Sequence, residues 1–561
     1  MTAPSLPGRR KFLKRSAAVG GAAMLAPLLP AWARSGTRGI TADMPTLGGD
    51  EIALRIGRKP FTVGGRTGTA VTINGTVPAP LIRLRQGRDV RIAVTNELDE
   101  DTSIHWHGVL LPFDMDGVPG VSFPGIRPGE TFVYRFPVRH AGTFWFHSHS
   151  GLQEQLGHYG PLIFDPAGTD PVDYDREHVL VLSDWSFMHP RSILRKLKQD
   201  GGYFNRQEHT LTGLFREGDP EQQMPLRERL MWDRMRMSPT DIADVTGSAY
   251  TYLVNGHGPQ ENWTGLFRPG ERVRLRVINA SAMTVFNFRL PGLPLTVVQA
   301  DGNDVRPVTV DELQISVAET YDLIVEPVHE RAYAIVAESV DRSGMAVGTL
   351  APRAGMAATP PPLRPRPTLG MDDMGMDDMS MAGMAHEMTA TKTGTGVDMV
   401  AMHPKDSAGK RGLGLEDAGH RVLVYSDLVA LEPNPDRRPP SRSLEIHLTG
   451  NMERFMWSFD GRKFSEVVEP IRFARDERVR VTLVNDTMMQ HPIHLHGHFF
   501  EVVNGHPGHH PMKHTVNVLP GSKISFDLTA DNPGDWAFHC HLLYHMHAGM
   551  FNVVTVRPLD G

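Results

Sequence analysis

Residues 539–550 read His-Cys-His-Leu-Leu-Tyr-His-Met-His-Ala-Gly-Met and contain the one cysteine of a 561-residue chain. His539 and His541 flank Cys540, His545 follows it by five residues, and Met550 follows it by ten. A thiolate, imidazoles and a weakly held thioether form the ligand set of a blue-copper electron-transfer site. Cys540 and His545, with Met550 as the long axial ligand, supply such a set. Successive side chains on a strand point to opposite faces, so His539 and His541 turn away from Cys540. They must serve a second metal site behind the first, joined to it through Cys540. A lone buried cysteine is ordinarily a small core hydrophobe; three further histidine clusters weigh against that here.

The elements that would position these residues repeat along the chain. Leu84–Asn96, Phe267–Asn279 and Phe473–Asn485 each read as a turn, an alternating strand and a closing Asn. Such strands between Gly/Pro turns predict all-β sandwiches. His105 and His107 lie nine and eleven residues after Asn96, as His494 and His496 do after Asn485. His147 and His149 lie nineteen and twenty-one residues after Pro128, as His539 and His541 do after Pro520. The middle copy has Phe288 and Leu290 at the first pair of positions and, by alignment of Glu319-Thr320 with Glu130-Thr131, Val336 and Glu338 at the second. Ser148 stands where the third copy has Cys540, and His491, six residues after Asn485, completes the thiolate site. Two facing outer modules would each donate four imidazoles to one shared cluster, and eight imidazoles fit a three-copper centre.

Composition narrows the class. The formal charge is −6, which does not suit nucleic acid or an anionic membrane. One cysteine permits no intramolecular disulfide. Residues 1–33 read as a signal peptide. Arg9-Arg10-Lys11-Phe12-Leu13-Lys14 forms a twin-arginine pattern, and Ala31-Trp32-Ala33 closes an apolar run too short and too rich in Gly, Ala and Pro to span a bilayer. Twin-arginine export carries folded proteins and predicts a periplasmic location without stable membrane insertion. The expected organisation is a first sandwich over 40–170, a second over 171–350 without copper ligands, a Pro/Met-rich linker over 351–418, and a third sandwich over 419–561. The second carries an insertion over 187–245, with short helices read at Ser192–Lys198 and Leu226–Met237.

The clusters His105-Trp106-His107-Gly108, His147-Ser148-His149, His491-Pro492-Ile493-His494-Leu495-His496-Gly497 and the Cys540 stretch resemble the four copper motifs of three-domain multicopper oxidases. The whole chain is similar to the bacterial periplasmic copper-resistance protein A group. The resemblance implies three cupredoxin-like Greek-key sandwiches and about four coppers. His491, Cys540, His545 and Met550 would bind the type 1 copper, and His105 and His494 the type 2 copper. His107, His147, His149, His496, His539 and His541 would bind the type 3 pair. Electrons entering at the type 1 site would pass through Cys540 to His539 or His541, and dioxygen would be reduced to water at the cluster. Oxygen reduction needs protons, so an acid belongs nearby. Asp116 matches a family acid close to the type 2 copper, although a plain turn Asp reads equally well. Many bacterial relatives carry Glu directly after the second type 1 histidine; Met546 stands there, and Glu154 is the substitute considered.

In the linker, Met371, Met374, Met376, Met379, Met381, Met384 and Met388 lie among Asp residues without a periodic core pattern. Thioethers select Cu(I), so recruitment of extra Cu(I) is favoured over an incidental disordered linker. His506, His509, His510 and His514 form another cluster, read equally as a surface copper site or a solvated loop. The function expected is a periplasmic oxidase coupling one-electron oxidation of Cu(I) to Cu(II) with reduction of dioxygen, for copper tolerance, with a periplasmic copper carrier as candidate partner. A laccase-like oxidase of small phenols is the alternative within enzymes, and a copper-sequestering protein the alternative outside them.

Overall fold

The computed structural model describes residues 44–205, 229, 232, 237–376 and 396–558. The proposed signal peptide, most of Leu226–Met237, and Met379, Met381, Met384 and Met388 lie outside the described residues.

Three β-sandwiches follow one another, each built from the same two parallel pairings. In one sheet, Glu51–Val63 runs parallel to Asp89–Asn96, Arg176–Trp185 to Val273–Asn279, and Arg442–Asn451 to Arg478–Asn485. In the facing sheet, Leu81–Arg85 runs parallel to Tyr159–Asp165, Trp263–Leu266 to Met345–Ala351, and Ile471–Ala474 to Phe551–Arg557. Parallel partners need long crossovers, and in the outer modules those of the facing sheet, residues 86–158 and 475–550, carry the histidine motifs. In the first module Glu51–Ile56 alternates exposed and buried residues, as expected of a sheet with one solvated face. In the middle module Val273–Asn279 is buried throughout, because other segments cover its outer face.

The repeated Asn is a turn staple. Asn96 donates from Nδ2 to the carbonyls of Glu100 and Ile126, and its Oδ1 accepts from Leu98 N. Asn279 repeats this with Thr284, Ile315 and Ser281, and Asn485 with Met489, Val518 and Thr487. An amide with no exposure satisfies three backbone groups that would otherwise be buried unpaired. The constant count from Asn to histidine follows from this shared corner. The middle copy differs in one respect. His105 faces His147 and His494 faces His539 across their strands, but Phe288 faces Ala337, not Val336. The register there is one residue longer than the alignment assumed.

The helix read at Ser192–Lys198 is found as Pro190–Leu197, started by Pro and capped by His189. Arg229 and Trp232 are helical, and Trp232 is buried. Among the described residues no helix is long and apolar enough to cross a membrane. The first half of the linker is anchored. Arg364 forms a fork with Glu312 (2.6 and 2.9 Å) and bonds Glu338 (2.6 Å), both carboxylates being buried in the middle module. For the three described methionines of the Met-rich run, Met371, Met374 and Met376, the reading of no core pattern is corrected. Met374 and Met376 are buried and Met371 is partly buried, in one cluster with Met399, Met488, Trp232, Leu369 and Leu413. No helical or strand period marks them because they lie on an irregular turn, 371–375, where an unbranched thioether side chain fills uneven gaps.

His447 links the linker to the third module. Its Nδ1 lies 2.6 Å from Asp486 Oδ2, and Asp486 Oδ1 accepts from Ala401 N. The Asp486 bond raises His447 to about 9. A raised imidazole pKa stabilises the fold fully below its unfolded value of about 6.5 and loses that contribution as pH rises through about 9. His447→Gln should therefore flatten the alkaline limb of the thermal unfolding midpoint measured from about pH 6 to about pH 10. An unchanged limb would remove His447 from the linkage.

Candidate metal centre

The thiolate site lies at one end of the third sandwich. Cys540 closes the strand Gly534–Cys540, His491 opens His491–Leu495, and His545 sits on the short helix Leu543–Ala548. Cys540 Sγ is 3.5 Å from His491 Nδ1 and 3.9 Å from His545 Nδ1, and the two Nδ1 atoms are 3.2 Å apart. Behind them, His491 Nε2 meets Thr487 Oγ1 at 2.8 Å and His545 Nε2 meets Asp244 Oδ2 at 2.6 Å. With Nε2 donating, each Nδ1 presents a lone pair toward the sulfur. Met550 is fully buried and tied by its backbone to Cys540 and His545. Burial pushes the Cys540 thiol up, so a thiolate there needs a cation. Burial also raises Asp244 to about 8. Trp457 stacks on His545 at 3.8 Å.

The other eight histidines converge between the outer sandwiches. Ligand-capable nitrogens of His107, His147 and His541 lie within 4.8 Å of one another, as do those of His149, His496 and His539. His105 falls in further such groups with His494 and His496, and with His147 and His149. Outer nitrogens are held by acceptors. His105 Nδ1 donates to the Asp116 carbonyl (2.8 Å), His494 Nδ1 to the His514 carbonyl (2.7 Å) and His539 Nδ1 to the Cys540 carbonyl (3.0 Å). His496 Nδ1 lies 2.9 Å from Asp116 Oδ2, and His147 Nδ1 lies 2.8 Å from Glu154 Oε2. The inner Nε2 atoms of His105, His147, His149, His494 and His541 are buried with no partner. His496 Nε2 and His539 Nε2 face each other at 3.1 Å, two lone pairs that repel unless a cation lies between them. So many orphaned buried nitrogens are the mark of a metal site. Burial, reinforced by mutual repulsion, holds His107, His147, His149, His494, His496 and His541 well below the usual imidazole range. The neutral, metal-binding form is thereby favoured. Soft thiolate plus imidazole donors fit copper.

Both candidate acids are in contact with this cluster. Asp116 is buried, and its Oδ1 also lies 3.2 Å from His105 Nδ1. Glu154 is buried, and desolvation, with Asp184 adding to it, raises its pKa well above the carboxylate range. A cleft lined by Arg58, Glu100, His149, Gln153 and His189 opens onto His149. Of the later histidine cluster, His506 and His509 bond the carbonyls of Ser426 and Ala430, and His510 bonds Asn504. His514 is not on the surface: it is fully buried, 4.7 Å from His107 between ring centroids. Sequence reasoning missed this placement, together with Asp244 and Trp457. Thr515 lies directly opposite His494 in the ladder, which brings His514 beside the cluster. Asp244 carried no signal, since it belongs to the insertion.

Family models described as multicopper oxidase match residues 55–168, 227–354 and 437–560. The chain belongs to the multicopper oxidase family. This oxidase is 46% identical to Copper resistance protein A of Pseudomonas syringae pv. tomato over 98% of its own chain and 99% of the relative. It is 46% identical to Copper resistance protein A of Escherichia coli over the same shares, and 32% identical to multicopper oxidase MmcO of Mycobacterium tuberculosis over 97% and 95%. Among solved structures, Fet3p, a multicopper oxidase that functions in iron import, matches at a TM-score of 0.64 and 21% identity over 91% of this chain and 90% of its own. The laccase from Botrytis aclada matches at 0.63 and 24% over 92% and 88%. These likenesses carry the three-sandwich fold. The oxidase is a copper-dependent oxidoreductase.

Proposed function

We propose that this oxidase oxidises Cu(I) to Cu(II) in the periplasm and passes the electrons to dioxygen, giving copper resistance. About four coppers are assigned. His491, Cys540, His545 and Met550 would hold the type 1 ion, His105 and His494 the type 2 ion, and His107, His147, His149, His496, His539 and His541 the type 3 pair. Copper, when bound, supplies one-electron oxidation at the thiolate site and four-electron reduction of dioxygen to water at the cluster. The protein's residues do the rest. Cys540 lies between His539 and His541 and joins the two sites over a few covalent bonds. Asp116 and Glu154 hold protons and acceptors against His105, His496 and His147. The cleft at His149 admits dioxygen and water. Arg9 and Arg10 support twin-arginine export, and the copper-resistance names of the relatives support the periplasmic role.

One observation carries the Cu(I) reading over the phenolic one. The apolar cluster that includes Met374, Met376, Met399 and Met488 also includes Ile242, with Met237 and Ala243 packed against it. Ala243 directly precedes Asp244, which touches the proposed type 1 ligand His545. Thioethers packed against the segment that carries Asp244 favour Cu(I) as the ion handed to the thiolate site. Met374→Leu with Met376→Leu preserves volume and removes two thioethers. Oxygen uptake with Cu(I) should then fall by about 10-fold or more, while uptake with a phenol stays within about 2-fold. Equal loss with both substrates, or no loss with Cu(I), would reject the reading. Uptake by the parent mainly with the phenol would assign a laccase.

A further inference from the structure

We infer that His514 is a positioning residue of the copper cluster, holding the outer nitrogen of His107, and that the middle sandwich fixes it there through Asp301. The inference rests on the ligand assignment proposed above. Of the eight cluster histidines, His107 alone has both ring nitrogens buried without a hydrogen-bond partner. A metal satisfies one of them. The other needs an acceptor or donor, as His105, His147, His494, His496 and His539 find in carbonyls and carboxylates. Two buried groups beside it outside the proposed ligand set have an unpartnered nitrogen, His514 at Nε2 and Trp145 at Nε1, and only His514 offers one that can accept as well as donate. The rings lie 4.7 Å apart at 80°, edge to face, and the ligand-capable nitrogens of His107, His494 and His514 lie within 4.8 Å of one another. A small rotation closes an imidazole–imidazole hydrogen bond.

His514 is gripped from three sides. Its Nδ1 meets Thr515 Oγ1 at 3.1 Å, and its backbone N donates to Asp301 Oδ2 at 3.2 Å. Asp301 Oδ2 also accepts from Thr515 N and pairs with Lys513 Nζ, each at 3.1 Å, while its Oδ1 accepts from Thr320 N. Lys513 and Asp301 are fully buried. Gly108 completes the fit: a Cβ there would fall 2.4 Å from the His514 ring, at a φ of +78°. The Gly after His107 leaves the room that His514 occupies. The middle sandwich has no histidine ligands at the equivalent positions, yet through Asp301 it orders both His514 and the His514 carbonyl that holds His494.

The test uses the full-length copper-loaded protein. His514→Ala should lower copper retained against a chelator by about 10-fold or more and raise the paramagnetic fraction of what remains, as a coupled pair loses one member. The visible band of the thiolate site should persist, which separates this loss from misfolding. His514→Gln, which reaches the same place with a hydrogen-bonding group, should recover most of the retention. Asp301→Asn should shift retention the same way by a smaller factor. His107→Ala is the control. If it keeps all its copper, the ligand assignment is wrong. If it loses copper while His514→Ala does not, this inference alone is overturned. A glutamine variant as damaged as the alanine one would reduce His514 to packing and overturn it as well.

Discussion

Cys540→Ser should abolish the visible band and lower oxygen uptake by at least about 1,000-fold, because a residue that acts within a unit removes the unit's whole contribution. The fold supplies its own control. Ser148 occupies the corresponding position in the first module, where its Oγ donates to Gln153 Oε1 at 3.0 Å. A serine is therefore compatible with this strand end. Cys540 is fully buried and touches both His491 and His545, so the hydroxyl has histidine partners and the structural cost stays near that of one altered hydrogen bond, about 1–3 kcal/mol. Sulfur is what cannot be replaced. An alkoxide does not form there, and the bond that joins the two sites electronically is lost. Cu(I) binding by the methionine cluster should survive, since that cluster contains no atom of Cys540. Turnover retained in the serine variant would disprove the electron route.

The second large effect is expected at Asp116. Asp116→Asn should lower oxygen uptake by roughly 10²- to 10⁴-fold, the range for a lost acid–base group. Copper retention should weaken by about 10- to 100-fold, as for an outer partner of a ligand. The carboxylate spans two modules: it touches His105 of the first and His496 of the third. An amide keeps one oxygen and the backbone carbonyl that holds His105, so the cluster should still assemble, but the proton-carrying group is gone. The turn beneath it is rigid. Gly117 has a φ of +82°, and a Cβ there would fall 1.8 Å from the Ile104 carbonyl. Asp116 is thus both the turn residue and the candidate acid, and the two readings were never exclusive. The thiolate-site band should be unchanged. Oxygen uptake equal to the parent would leave Asp116 with the turn role alone.

Much of this architecture was legible because it is periodic. The counts from Asn96 and Asn485 to their histidines hold because one buried amide staples the same corner in each module. The middle copy was legible only to within one residue: its turn matches, with Ala318 at a φ of +71° where the others carry Gly129 and Gly521, but one extra residue lies between Thr320 and Ala337. The packing of Met374 and Met376 was not legible because an irregular turn leaves no period in the sequence. Asp244 was invisible because an insertion has no counterpart in the other modules to count from.

Legible from residue order alone were the candidate donors: one cysteine, its histidine and methionine neighbours, and eight imidazoles at matched offsets. Residue types and local spacing suffice there, since a strand or a short helix places its own side chains. Tertiary structure alone decided which group stands behind each ligand. Asp116 reaches from the first module to His496, Asp244 from an insertion to His545, and Asp301 from the middle module to His514. These contacts span hundreds of residues and are fixed by how sandwiches dock, which no local pattern encodes.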